Sequence, residues 1–163
     1  MTTESNSPVN TNDNYHWKVF WTVGIALFAM VLDFSIVFLA LSSIADEFEV
    51  TLRAVTWVAI STSLVTSAIM LPLGRVSDIT GRKKFHIAGM AFFVVGALLA
   101  FSAQSLEMLI AARVVMAIGA SMGQAVVFAI IVGTFPDTER GKALGMITTM
   151  VAIGAAAGPI IAG

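Results

Sequence analysis

Two charged residues stand inside long apolar runs, and they are where this sequence could do chemistry. Asp33 is the sole charge between residues 19 and 45, and Arg113 the sole charge between 108 and 136. A carboxylate is costly to keep charged in such surroundings, so Asp33 is either a group that takes up and releases protons or one arm of a structural pair. Arg113 is the natural partner. Counted along a helix, Asp33 lies roughly 18 Å and Arg113 roughly 9 Å from the outer end of its own run. An axial gap of about 9 Å, with each side chain leaning toward its own N-terminus, predicts a water-bridged or state-dependent contact rather than a direct bond.

The elements that carry these two residues are set by where the other charges fall. Of the 163 residues, 58% are hydrophobic and 12% are charged, half the charge of an average soluble domain. The charges cluster and leave five apolar runs, each long enough to cross a hydrocarbon core of about 30 Å as a helix of about 20 residues. In lipid the backbone must satisfy its own hydrogen bonds, which requires helix here. The expectation is an all-α, polytopic membrane protein with helices at about 18–45, 54–74, 85–103, 106–134 and 142–163. A polar tail, 1–17, rich in Thr, Ser and Asn, is expected to be disordered and cytoplasmic. The length of the first apolar run argues against a cleaved signal peptide.

Basic residues set the orientation. Lys18, then Arg75, Arg82, Lys83 and Lys84, then Arg140 and Lys142 fall on one side, with only Arg53 on the other. This places the N-terminus in the cytoplasm, and Trp17, Trp21 and Trp57 suit the two interfaces. A net charge of -1 offers no basic field for nucleic acid, and the chain has no cysteine. No nucleophile–base pair, metal cluster or phosphate loop suggests an enzyme or a resident metal.

Weaker signals come from small and polar residues. Gly119 with Gly123, Gly141 with Gly145, and Gly154 with Gly158 have the four-residue spacing that lets helix backbones approach in lipid. Pro159 inside the last run suggests packing or a hinge. Ser61, Thr62, Ser63, Thr66 and Ser67 read as glue between helices rather than as a pathway lining. Gln124 reads as structural, the methionines as packing, and His86 as a cap on the basic loop.

The segment GRVSDITGRKKF (74–85) resembles the signature between the second and third helices of the major facilitator superfamily. Gly74 and Gly81 permit a tight turn, Asp78 can face a helix end, and Arg82 and Lys83 supply charge. LDFSIVFLAL (32–41) is similar to the first-helix motif of the drug:proton antiporters, the fourteen-helix branch in particular. LIAARVVMAIGAS (109–121) is similar to the fourth-helix motif, FPDTERGKALG (135–145) to the family's connection between helices four and five, and GAAAGPIIAG (154–163) to the antiporter motif of helix five. Departures at Phe38, Ser42, Ile79, Met116, Ala117 and Ala162 bear on subfamily and substrate more than on the superfamily.

The resemblance implies a secondary active transporter that exports drug-like or toxic small molecules in exchange for protons. It needs no cofactor and draws on the proton gradient across a bacterial-type inner membrane. Asp33 and Arg113 would couple protons; Gly74, Asp78, Gly81, Arg82 and Lys83 would form a conformational gate loop; Gly154, Gly158 and Pro159 would be the antiporter motif. The partners would be a small-molecule substrate, protons and the bilayer. The family's N-terminal half has six helices, so the chain is expected to be an N-terminal fragment that needs the missing C-terminal half to work. Alternatives are an importer of a sugar or metabolite, or a small membrane partner protein that does not transport.

Overall fold

A computed structural model describes residues 15–162. Five helices follow one another: α1 (Tyr15–Glu47), α2 (Leu52–Thr80), α3 (Arg82–Phe101), α4 (Leu106–Thr134) and α5 (Asp137–Ala162). Each is long and apolar enough to cross a membrane. Positions 1–14 of the expected tail lie outside the described residues, and Tyr15, His16 and Trp17 already belong to α1.

The helices outrun their apolar cores. Hydrophobicity ends at the lipid boundary, but the backbone ladder continues until a residue stops it. α2 therefore passes through Gly74 and ends at Gly81, whose φ of 94° is one that a residue with a side chain rarely adopts. Gly74 is thus a helical residue and not part of the turn, a correction to the expected pair of turn glycines. Helix starts are set by hydroxyl caps: Thr51 accepts from the Ala54 N–H and Ser105 from the Met108 N–H.

α4 is the hub, in contact with all four other helices. Half of its most apolar window is buried, against 17% in α2 and α5. α3 lies along α4 with the backbones almost touching: a Cβ on Gly89 would sit 2.8 Å from the Gly119 carbonyl oxygen, and one on Gly96 2.7 Å from the Met116 nitrogen. Two dry clusters close the ends of the bundle. At the basic end Phe20, Val23 and Leu27 meet Val127, Ile131, Phe135 and Ile147. At the other end Val37, Ala45, Val55, Val58 and Leu109 come together. Large apolar residues such as Leu71, Leu98 and Phe101 point outward, as lipid-facing side chains do. The protein is a multi-pass membrane protein.

Candidate functional site

Between the two dry clusters the bundle turns polar. Asp33 follows Leu27 and precedes Val37 on α1; Arg113 follows Leu109 and precedes Val127 on α4. Arg113 Nη1 donates to Asp33 Oδ2 at 2.8 Å. This direct bond replaces the expected water-bridged contact. The expectation measured each depth from the end of its own helix, as though the outer ends were level. They are not: Leu109, near the start of α4, shares a cluster with Val37 and Ala45, so α1 overhangs α4 and its last turns reach past it. That stagger removes the axial gap.

The Arg113 side chain is 15% exposed and that of Asp33 32%. Arg113 Nε is buried with no hydrogen-bond partner among the described residues. The guanidinium is therefore held by one bond and not by the two-pronged grip that Arg can make on a carboxylate. Both residues border a cavity of about 320 Å³, whose wall also holds Phe34, Phe93, Met30, Met116 and Gln124.

Thr62, Ser63, Thr66 and Ser67 face the same cavity. Thr62 and Ser61 satisfy their hydroxyls on the Val58 carbonyl of their own helix. For Thr62, Ser63, Thr66 and Ser67 the glue reading gives way to a lining one, because all four border the cavity, and the Thr62 hydroxyl, its hydrogen spent on Val58, offers an acceptor face to whatever enters. Gln124 and two of the methionines likewise belong to the lining. The result is a mostly apolar chamber with a few polar groups and one ion pair, the composition expected of a small-molecule site.

At the α2–α3 turn Arg82 donates to Asp78 from Nε (3.1 Å) and Nη2 (3.0 Å), and from Nη1 to the Ala129 carbonyl at 3.3 Å. The bond to Ala129 ties the turn to α4. Lys83 lies beside this junction, on the wall of a second cleft. His86, expected to cap the loop, is instead buried at 6% exposure, beside Gly123. It sits one turn into α3, on the side that packs against α4, so it cannot reach back to the loop.

Gly154 and Gly158 of α5 face α1. A Cβ on Gly154 would meet Phe28 and Val31, and one on Gly158 would run into Ser35. Pro159 has no N–H, so in a regular helix the carbonyl four residues earlier, that of Ala155, loses its donor. Ser35 Oγ donates to that carbonyl at 2.8 Å. One helix thus supplies the hydrogen bond that the proline of another removes. Ser35→Ala is expected to lower stability by about 1 kcal/mol. In a Pro159→Ala background, where the N–H returns, the same change should cost almost nothing. Thermal unfolding of the four variants in micelles checks this; equal penalties in both backgrounds would show that the bond does not compensate the proline. Gly89, Gly96 and Ser35 carry contacts that sequence spacing did not flag.

The family profile of the Major Facilitator Superfamily matches residues 23–163. The chain belongs to the Major Facilitator Superfamily. Within it, the riboflavin transporter RibZ of Clostridioides difficile is 34% identical over 147 residues, 90% of this chain and 32% of that protein. Multidrug resistance protein Stp of Mycobacterium tuberculosis is 30% identical over 141 residues, 86% of this chain and 26% of that protein. Multidrug resistance protein 3 of Bacillus subtilis is 32% identical over 139 residues, 85% of this chain and 27% of that protein. The chain thus spans between about a quarter and a third of the length of these superfamily relatives.

Proposed function

We propose that this chain forms part of a proton-coupled antiporter that exports drug-like small molecules across a bacterial-type inner membrane, with its N-terminus in the cytoplasm. The observation that carries the reading is the Asp33–Arg113 pair on the wall of a largely apolar cavity. Protonation of Asp33 removes the charge that holds Arg113. The freed guanidinium then seeks other partners, and the change in pairing biases one arrangement of the helices over another. A proton entering from one side and a substrate leaving the same cavity are coupled through that exchange. Asp78, Gly81, Arg82 and Lys83 would hold the basic end closed in one of the arrangements, while Gly154, Gly158 and Pro159 fix α5 against α1. No cofactor enters this scheme. Among the described residues, those of α1, α2, α3 and α4 line the cavity and none of α5 does, and a complete pathway would draw on the further length of polypeptide that the relatives have.

The test is Asp33→Asn in the complete transporter, reconstituted in vesicles with an imposed pH gradient. The side chain keeps its shape and loses its proton chemistry. Uphill export is expected to fall to background while membrane insertion is retained, and the stability lost by leaving Arg113 without its carboxylate is read separately by unfolding in micelles. Undiminished uphill export would remove Asp33 from the mechanism. A second reading is import, with a metabolite as the substrate; a relative named as a riboflavin transporter is the reason to test a metabolite. Proton-gradient-driven flux in oriented vesicles separates the two: accumulation on the cytoplasmic side supports import.

A further inference from the structure

A second cleft, of about 430 Å³, opens between α1, α3 and α4 at the basic end of the bundle, and it shares no wall residue with the central cavity. Lys18 and Lys83 stand on its wall, and among the described residues neither has a carboxylate partner. Arg82 also contributes, though Asp78 already neutralises it. α3 begins here, and no side chain caps its free N–H groups, so the positive end of the helix adds to the field.

Deeper in, His86 lines the cleft at 6% exposure, with Nδ1 beside the Gly123 backbone and no side-chain partner among the described residues. A buried imidazole with one edge on backbone keeps its other nitrogen for whatever enters the cleft. The hydroxyls nearby are of a different kind. Thr22 donates to the Lys18 carbonyl at 2.9 Å and Thr134 to the Ile130 carbonyl at 2.7 Å. Their hydrogens are used, so each oxygen offers only an acceptor. Val23, Ile87 and Ile130 complete the wall with apolar surface.

We propose that this cleft binds an anionic phospholipid with a hydroxyl-bearing headgroup, of the phosphatidylglycerol type. The phosphate meets Lys18, Lys83 and the start of α3. The headgroup hydroxyls donate to Thr22 and Thr134, while His86 hydrogen-bonds a headgroup oxygen. An acyl chain follows the apolar wall into the bilayer. A soluble glycerol phosphate shares the headgroup chemistry but leaves that wall wet, so the lipid is the better fit. The assignment does not depend on the proposed antiport.

Native mass spectrometry of the purified full chain, with phosphatidylglycerol or phosphatidylcholine added to the micelles, tests the assignment. The wild type is expected to retain phosphatidylglycerol in clear preference to phosphatidylcholine. Lys18→Ala with Lys83→Ala should reduce that retention at least tenfold, and His86→Leu should reduce it in part. Lys84→Ala removes the same charge from a neighbouring residue outside the cleft and should change it less than twofold. All three lysines are exposed, so these variants should fold. Equal loss in the Lys84 variant would mean a diffuse surface attraction and would overturn the site. Equal retention of the two lipids would overturn it as well. Displacement of the lipid by millimolar glycerol phosphate would assign the cleft to a soluble metabolite instead.

Discussion

Arg113→Ala is expected to destabilise the bundle by about 3 kcal/mol, far more than the loss of one hydrogen bond. Removing the cation leaves the Asp33 carboxylate in the middle of the bundle with no opposing charge, and stripping one partner from a buried pair typically costs that much or more. Replacing both residues by uncharged neighbours in shape, Asp33→Asn with Arg113→Gln, should restore most of the loss. A neutral pair has no ion to desolvate and can still form one hydrogen bond. Denaturant unfolding in mixed micelles of Asp33→Asn, Arg113→Gln and the two combined measures the coupling. Penalties that simply add would mean that the two side chains do not stabilise each other. The double variant also separates stability from chemistry: a folded bundle that lacks proton-driven transport places the pair in the mechanism and not merely in the scaffold.

The site was legible in outline because charge inside an apolar run is conspicuous. Asp33 and Arg113 stand alone in their runs, and no knowledge of packing is needed to single them out. Their direct bond was not legible. It depends on α1 overhanging α4, and a sequence states how long each helix is without stating how far one slides past the next. The same missing stagger hid the role of the Ser and Thr residues of α2: their polarity is in the sequence, but which of them faces the cavity depends on the rotation of α2 against α4. Ser35 was hidden for a related reason. Its partner is a carbonyl 120 residues away, left without a donor by a proline that lies on another helix.

Helix ends show the limit from a different side. Apolar runs located all five helices, yet α2 continues to Thr80 and α5 begins at Asp137. Lipid thickness bounds the run, whereas breakers and caps bound the helix. Gly81 breaks because its φ is positive, whereas Gly74 sits comfortably in the ladder. Both are glycines of one motif, and only the backbone distinguishes them.

Small residues at a spacing of four divide in the same way, and this leads to the second large effect. Gly141 and Gly145 share the spacing of Gly119 and Gly123, yet a Cβ on either would meet nothing within 4 Å. A Cβ on Gly119 would collide with the Phe93 nitrogen and lie within 2.6 Å of the Gly89 carbonyl oxygen. Backbone atoms cannot swing aside as a side-chain tip can. Gly119→Leu should therefore force α3 off α4, at a cost of about 3 kcal/mol or more. It would also disturb the cavity, since Phe93 and Met116 lie close to the same contact. Gly145→Leu inserts the same side chain into open space and gains helix propensity worth up to about 1 kcal/mol. It should be neutral or slightly stabilising. Thermal unfolding of the two proteins, purified side by side in the same micelles, makes the comparison. If the Gly119 variant melts where the Gly145 variant does, α3 and α4 do not meet backbone to backbone, and the frame that holds Arg113 opposite Asp33 must be drawn differently.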